Sequence, residues 1–240
     1  MTKILINCGD SWANGDYSWI DTTNLDYSIT HIDQPITSYI AKLSNYIKIE
    51  EIVWLARGGE SNSSQVYKLK DYLVNNIDYL SNNKVIVLFG TAPLSRLYLN
   101  NKIFYTQHMD MAFIKFQDKY LPLYFELQKL ELELLFIHSY LKLLNIDFYV
   151  YNTYNTYKLN IPNLLFKGSS LFSLLISENN EQNLSIFDNI PFSKKLSKNN
   201  YIKKAINLGY LDYKTKHPSL QGSIKITELL IEELKNEFKR

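Results

Sequence analysis

Ser11 stands in the run Gly9-Asp10-Ser11-Trp12, directly after the apolar residues Ile4-Leu5-Ile6, and His217 stands in His217-Pro218-Ser219 in the last part of the chain. A serine hydroxyl is a weak nucleophile until a base takes its proton, and histidine is the usual base. Attack by such a pair on an acyl carbon leaves a negative oxygen, which needs donors already in place; each is worth ~3–4 kcal/mol in a closed site. Two further blocks can supply them: Gly58-Gly59-Glu60-Ser61-Asn62 and Gly90-Thr91-Ala92-Pro93. A glycine gives an unobstructed backbone N–H and a polar side chain gives another. The natural set is the N–H of Ser11, the N–H of Gly59 and the hydroxyl of Thr91. Ser11-Trp12 after a strand also suits a plain helix N-cap, and nothing in these two residues alone chooses between the readings.

The elements that must bring these blocks together are legible as four short apolar runs, Ile4–Cys8, Ile52–Leu55, Lys84–Phe89 and Ile146–Tyr151, which read as buried strands. Helical patterns lie between and after them: Ile36–Tyr46, Val66–Leu80, Tyr120–Leu144 and Ile224–Phe238. Strands alternating with helices predict a parallel sheet covered on both faces, a three-layer α/β/α arrangement. Three of the four blocks follow a predicted strand and the fourth precedes the last helix. One rim of one sheet can therefore gather all four. Ligands of open parallel sheets bind at that rim.

In Tyr120–Leu144 the residues Leu123, Leu127, Leu130, Leu134, Ile137, Leu141 and Leu144 form a stripe. A coiled-coil seam has that spacing, but Leu132, Leu135 and Phe136 widen the stripe, which favours the buried face of a crossover helix. The stretches 97–118 and 153–201 show no clear period and read as irregular insertions. With no repeat or linker, residues 1–240 are expected to form one domain.

Composition excludes several function classes. Twenty-six basic against 24 acidic residues give a formal net charge of +2, so no global field points to nucleic acid or an anionic membrane. The single cysteine, Cys8, permits no internal disulfide; at the end of the first run it reads as a buried filler. No apolar run reaches the ~18 residues of a membrane helix, and Met1-Thr2-Lys3 lacks the apolar region of a signal peptide. A soluble, cytoplasmic protein is expected.

The three outer blocks resemble the SGNH/GDSL hydrolase family. The match is carried by Gly9-Asp10-Ser11, by Ala56-Arg57-Gly58-Gly59-Glu60-Ser61-Asn62 and by His217-Pro218-Ser219 with Gly222, in the family's order. Between 97 and 201 the likeness is one of architecture alone. The resemblance implies a flavodoxin-like α/β/α fold with a central parallel sheet, a Ser11 nucleophile with His217 as base, and hydrolysis of an ester, O-acetyl or lipid bond without metal or organic cofactor. Two positions depart from the family. The oxyanion asparagine of its third block falls on Thr91, with Gly90 one residue ahead rather than two. The acid it places three residues before the histidine is replaced by Lys214. Asp212 is the nearest acid on that side; failing it, a backbone carbonyl can orient the imidazole.

Asn62 and Arg96 are expected to shape the substrate rim, Arg96 by pairing with an acidic group. His31, His108 and His138 are weaker candidates, and no His/Cys cluster suggests a metal site. The glycines at 58 and 59 have no lysine after them in the manner of a phosphate loop. Tyr149, Tyr151, Tyr154 and Tyr157 suit either sugar stacking or packing. The expected activity is cleavage of a small-molecule or carbohydrate ester. The alternative is a non-catalytic module of the same fold, for example a virion-associated protein, which the residues at 91 and 214 favour. Oligomeric state is not legible at this level.

Overall fold

Side chains along the first strand, β1 (Lys3–Cys8), point alternately to two faces, and the two faces are the two halves of the core. Ile4, Ile6 and Cys8 pack on one side and Leu5 on the other, all fully buried. In this computed structural model, which describes residues 1–15, 38–94, 96–99, 102–105, 123–176 and 195–237, the strand is central. In chain order the remaining elements are α1 (Ser11–Asn14), α2 (Tyr39–Tyr46), β2 (Glu51–Trp54), α3 (Asn62–Asn75), α4 (Ile77–Ser81) and β3 (Lys84–Thr91). They continue with β4 (Arg96–Leu99), β5 (Lys102–Tyr105), α5 (Leu123–Leu143), β6 (Asp147–Asn152), α6 (Leu171–Ile176), α7 (Lys195–Asn207) and α8 (Leu220–Glu237).

The sheet runs β2-β1-β3-β6, parallel throughout. Its Leu5 face is covered by α2, α6, α7 and α8 through residues such as Leu43, Phe172, Ala205 and Leu230. Its Ile4 face is covered by α3, α4 and α5 through Leu69, Leu80, Leu134 and Leu141. This is the three-layer α/β/α architecture with a central parallel sheet. Each fully buried leucine contributes ~1.5–3 kcal/mol relative to exposure. The chain leaves β1 toward one edge and returns to its other side at β3, so the crevice between the ends of β1 and β3 is a topological switch point.

The four strands match the apolar runs to within a residue or two, and three of the four helices begin at a cap the periodicity does not mark. Ser38 caps α2 by accepting from Ala41 N. Ser61 caps α3 by accepting from Ser64 N, so α3 begins at Asn62 rather than Val66. Asn76 breaks Val66–Leu80 into α3 and α4, its φ of −126° being outside the helical range. The Ser219 hydroxyl accepts from Gly222 N, and α8 begins four residues ahead of Ile224.

The aperiodic stretches hold structure of their own. The first contains the antiparallel hairpin β4–β5. In the second, bridges from Val150 to Leu164 and from Asn152 to Ser170 extend the sheet beyond β6, and α6 and most of α7 follow. On α5 the stripe is core: Leu130, Leu134, Ile137 and Leu141 are buried. No helix among the described residues is long and apolar enough to cross a membrane.

Candidate active site

The turn after β1 is held from every side. Gly9 has φ of +140°, and a Cβ there would lie 2.5 Å from the Ala13 Cβ and 2.7 Å from the Gly90 carbonyl oxygen, so only glycine fits. Its N–H donates to the buried Gln65 side chain at 3.1 Å. Asp10 is the N-cap of α1, accepting from Trp12 N at 3.0 Å, and Asn7 ties the end of the turn to the strand by donating to the Ala13 carbonyl at 2.8 Å. Trp12 is buried edge-on against Tyr154 and Phe172. Ser11 is thereby set at the carboxyl end of β1, 6% exposed.

The second block reaches the same place through the backbone. Arg57 N donates to the Gly9 carbonyl at 3.1 Å, and Leu55 N and Ala56 N both donate to the Asn7 carbonyl at 2.9 Å. Gly59 follows with φ of +81°. Glu60 then anchors this loop to α3: its carboxylate meets Lys68 Nζ at 2.7 Å and accepts from the Ser64 hydroxyl.

His217 arrives on the loop between α7 and α8. Its Nε2 lies 2.7 Å from Ser11 Oγ, and its Nδ1 lies 2.9 Å from the Thr215 carbonyl oxygen. A carbonyl can only accept, so Nδ1 carries the ring's proton and Nε2 is left as the acceptor for the serine hydroxyl. Asp212, fully buried, gives its Oδ1 to the turn: Lys214 N, Thr215 N and the Thr215 hydroxyl donate to it at 3.1, 2.7 and 2.8 Å. The peptide whose carbonyl touches the ring donates its own N–H, that of Lys216, to the Asp212 carbonyl at 3.0 Å. Such a chain polarises the Thr215 carbonyl. Asp212, expected as the orienting acid, holds the turn that carries this carbonyl. Thr215 was not singled out in the sequence, although an Asx turn at Asp212 is a signal for it. Lys216 has φ of +62°, a strained conformation for a residue with a side chain.

Thr91 sits at the end of β3, 1% exposed, and its hydroxyl donates to Asn152 Oδ1 at 2.9 Å. The amide orientation of Asn152 is secured because its Nδ2 donates to the carbonyls of Tyr157 and Gly168. The one hydroxyl proton of Thr91, expected as an oxyanion donor, is engaged there. Asn62, by contrast, brings its side-chain amide to the end of β3: Nδ2 donates to the Ala92 carbonyl at 2.8 Å and Oδ1 accepts from Ala92 N at 2.7 Å. Arg96 lies on β4, and its side chain is outside the described residues.

Tyr149, Tyr151 and Tyr157 are buried, and Tyr154 stacks on Phe172 at 4.9 Å, so these rings pack the core rather than offer a sugar platform. The Tyr151 hydroxyl meets that of Tyr39 at 3.2 Å, and burial pushes both phenols well above their usual range. Burial also pushes the Cys8 thiol up, as suits a filler. His138 lies on α5 beside Phe148, while His31 and His108 lie outside the described residues.

No family model and no curated protein matches the chain. Among solved structures it is similar to the psychrotrophic esterase EstA from Pseudoalteromonas sp., at 10% identity and a TM-score of 0.46 over 100% of both chains. It is also similar to the lipase/acylhydrolase from Enterococcus faecalis, at 14% identity and a TM-score of 0.43 over 99% of this chain and 97% of that one. Phospholipase A1 from Streptomyces albidoflavus NA297 matches at 13% identity and a TM-score of 0.40, over 97% and 98%.

Proposed function

We propose that the chain is a serine hydrolase of the SGNH type that cleaves an ester or O-acetyl bond, with Ser11 as nucleophile and His217 as base. The observation that carries this is the 2.7 Å contact of Ser11 Oγ with His217 Nε2, on a ring whose other nitrogen meets a carbonyl. In the first step Ser11 Oγ bonds to the acyl carbon while its proton passes to Nε2. The tetrahedral oxyanion collapses, the C–O bond to the alcohol breaks, and the alcohol leaves with the proton from Nε2. Water then repeats the sequence on the acyl-serine and releases the acid.

The Thr215 carbonyl orients the base and stabilises the imidazolium by its dipole. The oxyanion donors are the N–H groups of Ser11 and Gly59, with the side-chain amide of Asn62 in the place expected for Thr91. Asn62 Nδ2 has two protons, and the Ala92 carbonyl takes one of them. The substrate class is a small-molecule or carbohydrate ester.

A fluorophosphonate probe labels Ser11 in this reading, and Ser11→Ala loses both the label and the hydrolysis of short-chain esters, by ~10³-fold or more. Undiminished hydrolysis in Ser11→Ala overturns the assignment. A wild-type protein that neither labels nor hydrolyses any acetylated sugar or graded acyl ester returns the chain to the binding-module reading.

A further inference from the structure

Gly58 and Gly59 set the direction of one oxyanion N–H, and consecutive glycines give the backbone its widest freedom. The loop is held at both ends. Upstream, Arg57 N donates to the Gly9 carbonyl at 3.1 Å. Downstream, Glu60 is 6% exposed, and its carboxylate meets Lys68 Nζ at 2.7 Å and accepts from the Ser64 hydroxyl. Glu60 stands between Gly59 and Ser61, the cap of α3, and Asn62 follows. Two of the three proposed oxyanion donors thus lie within two residues of this carboxylate.

The spacing explains the contact. Ser64 and Lys68 lie four and eight residues after Glu60, and positions four apart share a helix face. Side chains on a helix lean toward its N-terminus, which sends the long Lys68 stem back toward the carboxylate. A buried carboxylate is costly unless it is paired, so without Lys68 it gains by turning out to water. Gly59, its neighbour, has no side chain to resist and turns with it. We propose that Lys68 is a positioning residue for the oxyanion hole: through Glu60 it fixes the Gly59 N–H and the start of α3 that carries Asn62. Its ammonium touches no reacting atom. The inference rests on the Ser11–His217 hydrolase reading and adds a residue to it. Such a residue acts on the transition state rather than on substrate binding, because the negative oxygen exists only there.

The test is hydrolysis of a short-chain acetyl ester by the full chain, with kcat referred to the number of sites that a fluorophosphonate probe finally labels. Lys68→Met keeps the apolar stem and removes the charge. The expected result is a kcat per labelled site about tenfold lower, KM within about twofold, and labelling slowed in step with kcat. Lys68→Arg keeps the charge and retains most of kcat. Glu60→Gln combined with Lys68→Met is no slower than the slower single variant, because the pair acts as a unit. A merely structural lysine gives the opposite split, with fewer labelled sites and an unchanged kcat for each. That outcome overturns the inference, and so does a loss in Lys68→Arg as deep as in Lys68→Met. Should Lys68→Met fail to fold, Ser64→Ala removes the other donor to Glu60 and lowers kcat per site about threefold with KM unmoved; an unchanged kcat there also overturns it. A wild-type chain that neither labels nor hydrolyses takes away the hydrolase reading and this inference with it. An active wild type indifferent to Lys68→Met takes away this inference alone.

Discussion

Ser11 and His217 meet at one hydrogen bond, but the segments that carry them are held by different forces. The serine turn is gripped by shape: Gly9 leaves no room for a Cβ between Ala13 and Gly90, Trp12 is wedged against Tyr154 and Phe172, and Asn7 and Gln65 hold the backbone from inside the core. The histidine loop is gripped by charge and hydrogen bonds: one buried carboxylate, Asp212, gathers three donors and frames the carbonyl that faces the ring. His217 itself is half-buried. A site divided in this way packs the serine tightly and leaves the histidine on the part that solvent can reach. Damage to the first half should abolish the site, whereas damage to the second should degrade it by steps.

The strongest blow to that contrast is Gly9→Ala. Overpacking costs ~1–3 kcal/mol, and a side chain at φ of +140° adds strain of ~1–3 kcal/mol. The expected outcome is a lower melting temperature together with loss of fluorophosphonate labelling. A variant that melts normally and still labels would show that packing does not set the serine.

Asp212 comes next. Asp212→Ala strips three donors of their acceptor and lets the Thr215 carbonyl drift; a displacement of ~1 Å at a catalytic group costs about 10²-fold in rate. Asp212→Asn keeps an oxygen in the same place without the charge, so it should retain most of kcat and leave the pH profile of hydrolysis nearly unmoved. If Asn is as damaging as Ala, the carboxylate charge serves the imidazole directly, and its part as a frame for the loop is wrong.

The same division explains what the amino-acid sequence made legible. The sheet and its rim follow from apolar runs such as Lys84–Phe89, because burial on both faces leaves a continuous signal. Ser11, Gly59 and His217 stand out because each lies in a compact block directly after an apolar run or before the last helical pattern, in a chain with only eight glycines and four histidines. The polar framing leaves no such mark. Gln65, Asn7 and Asn152 act singly from ordinary positions, and only the folded chain brings Gln65 to Gly9 or Asn152 to Thr91. Thr215 acts through its carbonyl, which any residue has. The caps at Ser61 and Ser219 were hidden by lying ahead of the apolar period they start, and the cap at Ser38 by lying two residues inside the pattern read from Ile36. The loop after β6 lacks period because buried side-chain amides and bridges hold it rather than a repeated face.

Thr91→Val is the smallest and most diagnostic change. The swap keeps the shape of the side chain and removes its hydroxyl from the end of β3, on the rigid half of the site. Asn152 Oδ1 then loses its donor in a buried place, which costs ~1–3 kcal/mol of stability. If that hydroxyl is committed to Asn152, kcat should change little, because no oxyanion contact is lost. Asn62→Ala in parallel removes the side-chain amide from the Ala92 backbone and should lower kcat by ~10²-fold, the scale of one missing oxyanion donor. The reverse pattern, with Thr91→Val slow and Asn62→Ala fast, would return the third donor to Thr91. It would also mean that the hydroxyl turns from Asn152 toward the substrate when the substrate binds, which would make the rigid half of the site the half that moves.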